Sequence, residues 1–94
     1  MKKMYVKNKD TFQAELDDEL CLFNTLDAKY LSLNSSASTI WQILDEPQSL
    51  QDLKEKIKSV YQINNIDIVE KNIIDFLNQG IEKKIIDVYE STNN

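Results

Sequence analysis

The chain has 94 residues, 41% apolar and 29% charged, with a net charge of −5, which fits one domain spanning 1–94 with a modest core. With no histidine, one cysteine and one glycine, it lacks the parts for a histidine base, a Cys/His nucleophile, a tetrahedral zinc site, a disulfide framework or a glycine-rich phosphate loop. The acidic balance speaks against a phosphate backbone as partner, and no apolar run approaches the roughly 20 residues that span a bilayer.

Met1 to Met4 is followed by Lys7, Lys9 and Asp10 instead of an apolar stretch, so no secretory start is read and a cytoplasmic location is expected. Residues 1–3 and 91–94 are expected to fray. Met4-Tyr5-Val6 offers a short lead-in strand. Phe12 to Leu16 alternates apolar and polar, the mark of a half-buried strand. Asp17-Asp18-Glu19 reads as a polar turn, lacking the ligand spacing and glycine of a calcium loop. Leu20 to Phe23 is a short apolar strand in which Cys21 serves as a small packing residue. Thr25 to Ala28 turns again. Lys29-Tyr30-Leu31-Ser32-Leu33 then places Leu31 and Leu33 on one face and Tyr30 and Ser32 on the other. Three consecutive strands with short turns predict an antiparallel meander.

Helical periodicity takes over from there. Asn34 or Ser35 can cap a helix carrying Ala37, Ile40, Trp41 and Leu44, ended by Asp45-Glu46-Pro47. Ser49-Leu50-Gln51-Asp52 is a variant capping box before the stripe Leu50, Leu53, Ile57, Val60 and Tyr61, a helix over about 50–62. Lys54, Lys56 and Lys58, interrupted by Glu55, read as its solvated face. Asn64 and Asn65 break that helix, and Asp67 can cap a third. The third carries Val69, Ile73, Ile74, Phe76, Leu77 and Ile81 on one broad arc, with Lys71, Asp75, Asn78 and Glu82 opposite. Gly80 falls inside the arc, either to admit a close neighbour or as a weak point. Ile85 to Tyr89 reads as a terminal strand or extended tail.

The stretch Tyr30-Leu31-Ser32-Leu33-Asn34-Ser35-Ser36-Ala37-Ser38-Thr39-Ile40-Trp41 resembles the signature of the PqqD-like family. There a strand ends in Leu-Asn, small residues follow, and Ile-Trp stands in the first helix. The similarity continues through Pro47, Ser49 to Leu53, Tyr61, Ile73 and Phe76-Leu77, and with Val6 spans nearly the whole chain. Departures are Lys7 where the family often has arginine, Asp27-Ala28-Lys29 where it often has glycine, Gly80 in place of leucine, and Lys84 in place of glycine.

The resemblance implies an α+β, winged-helix-like fold, an N-terminal three-stranded antiparallel meander followed by three helices. It also implies a stand-alone recognition element for ribosomally made, modified peptides. Such an element binds a precursor's leader as an added strand beside the third meander strand, in a groove closed by the third helix. It presents that leader to a maturation enzyme, of the radical-SAM or lasso-type protease/cyclase kind, with no catalysis, cofactor or metal of its own. The peptide-binding residues expected are Lys29, Tyr30, Leu31, Ser32 and Leu33 on the strand, and Val69, Asn72, Ile73, Phe76 and Gln79 on one flank of the helix. Ile74 and Ile81 border the other flank, and the sequence leaves open which one faces the edge. Ile73, Leu77 and Trp41 read first as core; Phe76 and Val69 read equally as core or contact. The competing readings are a winged-helix DNA-binding regulator and a structural accessory subunit. An exposed edge strand leaves both a monomer and a strand-paired homodimer open.

Overall fold

A computed structural model describes residues 2–61 and 66–91. The elements are β1 (Lys2–Lys7), β2 (Thr11–Leu16), β3 (Glu19–Asn24), β4 (Lys29–Leu33), α1 (Ser35–Ile43), β5 (Gln48–Ser49), α2 (Leu50–Tyr61), α3 (Ile66–Glu82) and β6 (Ile86–Ser91). The expected α+β architecture, a three-stranded meander followed by three helices, is present. The meander is an antiparallel sheet of order β2-β3-β4, and a second three-stranded sheet has order β5-β1-β6. The lead-in and terminal strands are thus each other's partners. Lys2 sits opposite Ser91 and Lys7 opposite Ile86, so residues expected to fray are paired as far as they are described.

Local chemistry explains the element ends. Asp17 and Asp18 both have positive φ, 52° and 67°, the two-residue hairpin conformation that matches strand twist and that aspartate tolerates. Asn24 orders the next turn, its Oδ1 accepting from the backbone of Leu26 and Asp27 at 2.8 and 3.0 Å. Asn34 caps α1 by accepting from the Ala37 N–H at 2.8 Å. The box before α2 is reciprocal: the Asp52 N–H donates to Ser49 Oγ and the Ser49 N–H to Asp52 Oδ2, each at 3.1 Å. The break at Asn64 and Asn65 lies outside the described residues. Asp67 is not the cap of α3: the helix starts at Ile66, which places Asp67 in the first turn, where a negative charge suits the helix dipole.

The three helices pack on one another, with α1 against β4 of the meander, α2 against β1 and β5, and α3 against β6. The core joins Leu22 and Leu33 of the sheet with Ile40, Trp41, Leu44, Leu53, Ile57, Val69, Ile73, Phe76 and Leu77 of the helical part, closed by Ile85 and Ile86. Ile85 knits the layers together. Its N–H donates to Gly80 O at 2.8 Å, and its carbonyl accepts from Asn8 N at 2.8 Å and Thr11 Oγ1 at 3.2 Å. On β2 the alternation expected from the sequence does not become a half-buried strand: no residue of it is buried, and only Thr11 and Ala14 are half-buried. Phe12 and Leu16 point to solvent, 60% and 54% exposed. The β2–β3 register sets Gln13 opposite Leu22 on the helix side, where Gln13 Oε1 accepts from the Trp41 indole at 3.0 Å. A buried indole N–H needs a partner, and a glutamine facing inward supplies it.

Candidate functional site

The meander ends at β4, which has β3 on one side and, among the described residues, no strand on the other. The unpaired side of an edge strand presents N–H and C=O groups that an extended peptide can satisfy. The alternation expected for this strand is borne out. Leu33 is buried and Leu31 half-buried toward the helices, while Tyr30 is 61% exposed and stacks on Phe23 of β3, ring centroids 6.0 Å apart. Ser32 joins the outer face through its hydroxyl, 3.6 Å from the buried Cys21 sulfur and 3.1 Å from Glu19 Oε2.

Beside the strand runs a groove of about 240 Å³, lined by Ser32 and Leu33 of β4, Asn34 and the first turn of α1, and Asn72, Asp75, Phe76 and Gln79 of α3. Its lining mixes the apolar Leu33, Ala37, Ile40 and Phe76 with the polar Ser32, Asn34, Ser36, Asn72, Asp75 and Gln79. α3 contributes because 72, 75, 76 and 79 fall on one stripe at helical spacing. At the other end of β4, Lys29 Nζ reaches the Glu82 carbonyl of α3 at 3.4 Å, so strand and helix run in opposite directions along the groove.

The expected residues therefore separate. Ser32, Leu33, Asn72, Phe76 and Gln79 share the groove, and Lys29 ties off its far end. Tyr30 lies on the outer sheet face, and Leu31 packs toward the core. Val69 and Ile73 are buried and turn to a separate, smaller hollow of about 80 Å³ with Ser36, Ile40, Ile57, Tyr61 and Asn72. Their place on the helix aims them at α1 and α2 instead of β4. Of the two flanks left open by the sequence, the one bearing Asn72 and Gln79 faces the edge. Ile74 is 37% exposed elsewhere.

Five groove residues lie outside the expected set: Asn34, Ser36, Ala37, Ile40 and Asp75. Asn34 reads as a helix cap, Ser36 as a small residue after the strand, and Ala37 and Ile40 as the apolar face of α1. Asp75 was grouped with the solvated face, although it stands three residues after Asn72 and four before Gln79, a spacing that could have found it. The carboxylate has no hydrogen bond or ion pair among the described residues. Also among the described residues, no cluster of three or more metal-ligating side chains occurs, and no helix is long and apolar enough to cross a membrane.

Comparisons with known proteins point one way. A family model described as coenzyme PQQ synthesis protein D (PqqD) matches residues 19–86, from the start of β3 to the start of β6. A solved structure of TbiB1 in complex with the TbiA(beta) leader peptide has the same fold, with a TM-score of 0.74 at 24% identity, covering 92% of this chain and 99% of that one. No curated protein matches the sequence.

Proposed function

The chain belongs to the PqqD family, and from that premise we propose that it captures the leader segment of a ribosomally made precursor peptide by strand addition to β4 and holds it for a separate maturation enzyme. The observation that carries this reading is the pairing of an open β4 edge with an α3-walled groove beside it. Main-chain bonds to β4 would supply register and affinity. Alternate peptide side chains would drop into the groove over Leu33 and Phe76, which supplies selectivity. The TbiB1 complex with a leader peptide, on the same fold, supports the choice of ligand class.

Capture in this form needs no titrating group. A leader tethered beside an enzyme raises the local concentration of the attached core segment to about millimolar for a short flexible link. The enzyme, of the radical-SAM or lasso-type protease/cyclase kind, supplies the chemistry, and the cytoplasm is the compartment in which precursor and enzyme meet. The net charge of −5 makes a duplex an unfavourable partner by comparison.

The test uses synthetic leaders taken from short open reading frames beside the gene, titrated into the labelled protein. Amide shifts are expected in residues 29–33 and along α3 from Asn72 to Gln79. Strand addition has a further signature, because only alternate residues of an added strand bond to the edge. N-methylation of the peptide backbone at successive positions should abolish binding at every second position and spare those between. Shifts scattered away from β4, or indifference to N-methylation, would refute the proposed mode.

A further inference from the structure

The charge along the groove is uneven. At its β4 start stand Lys29, bonded to the Glu82 carbonyl, and Lys84, paired with Asp27 at 3.1 Å. At the Leu33 end the groove holds Asp75 between the amides of Asn72 and Gln79. A second, wider hollow shares Leu33 and Asn34 with it and is bordered by Glu15, Asp18 and Glu19. No lysine lines either hollow. Asp27 and Glu82 balance the two lysines at that end, so the Leu33 end is the one with net negative charge, whichever direction an added strand runs.

Resting on the strand-addition reading, we propose that this groove selects leaders with a lysine or arginine in the segment beside Ser32 to Asn34, and that Asp75 is the residue that reads it. Lysine and arginine carry long apolar stems and terminal donors. The stem lies over Leu33 and Phe76, while the head reaches the Asp75 carboxylate, with the side-chain carbonyls of Asn72 and Gln79 as flanking acceptors. Lys71, one turn earlier on α3, makes no ion pair with Asp75, so the carboxylate is not already neutralised by a described neighbour. Glu19 is partly occupied by the Ser32 hydroxyl. The three outer carboxylates add a field that favours a cationic segment and speeds its arrival.

The experiment selects a displayed pool of random 12-residue peptides against the full chain and against Asp75→Asn, an exposed, isosteric change that leaves the fold intact. Wild-type winners are expected to share a basic residue at one fixed position, and Asp75→Asn winners to lack it. A synthesised winner should bind the variant about fivefold more weakly, the upper range for a solvent-accessible pair. It should lose a similar factor when its basic residue becomes norleucine, and the difference should shrink with added salt. Winners that shift the amides of residues 29–33 yet carry no shared basic position, or bind both proteins equally, would overturn the role of Asp75 and leave strand capture standing. Winners that bind without touching β4, or a pool with no winners, would overturn both.

Discussion

Asp52 shows how one side chain carries a measurable share of stability. Its carboxyl is held below the usual carboxylate range, first by the backbone N–H of Ser49, then by the Ser49 hydroxyl, with Lys2 and Lys56 adding to it and burial opposing. Because the folded state lowers this pKa, the contribution is complete above about pH 5 and lost as pH falls through the depressed value. Asp52→Ala should therefore cost about 1 kcal/mol near neutrality. The gap to wild type should close toward about pH 2, as thermal melts across that range would show. A gap that stays constant with pH would remove the carboxylate from the account. Asp75 is the opposite case at this scale: it is exposed, lines the groove and has no described partner, and it is the residue proposed above to read the leader.

The turns and helix ends show what the chain's departures from its family cost. Ala28 and Lys84 occupy positions where the resemblance leads one to expect glycine, and both have left-handed backbones, with φ of 55° and 59°. Lys84 follows α3 in a Schellman-type end, its N–H bonding Ile81 O and the next N–H bonding Gly80 O. A non-glycine residue there is strained by about 1 kcal/mol. Ala28→Gly should stabilise the protein by about 0.5–1 kcal/mol in chemical denaturation. Lys84→Gly should gain less, since it also removes the ion pair to Asp27. Gly80 is the reverse case. A Cβ there would stand 2.7 Å from Ile86 Cγ1 and 3.2 Å from Ile86 Cβ, closer than those atoms allow. Gly80→Ala should destabilise by about 1–2 kcal/mol, although alanine favours a helix by about 1. An increase in stability would mean that β6 can move away freely.

For the whole molecule, the second sheet acts as a clasp. β1 pairs with both β5 and β6, and Ile85 and Ile86, fully buried, close the core from the C-terminal side. Ending the chain at Lys84 removes two buried isoleucines, each worth about 2–5 kcal/mol in a core, and every β1–β6 pair. Such a chain should lose its cooperative transition, followed by the fluorescence of the buried Trp41. A cooperative melt near the wild-type midpoint would show that the meander and helices stand without the clasp.

Apart from the short β5, which was not legible in it, the sequence by itself determined the three-stranded meander and the three helices after it, the helix start at Ser49, the alternation of β4 and the family. These are local matters, set by periodicity, capping chemistry and residues adjacent in the chain. The tertiary structure alone decided that β1 and β6 pair and that Gln13 turns inward to Trp41. It also decided that Val69 and Ile73 serve the helix packing while Asn72, Asp75 and Gln79 wall the groove. Each of those depends on a partner distant in sequence: a period of 3.6 says which residues share a face, but only packing says what that face meets.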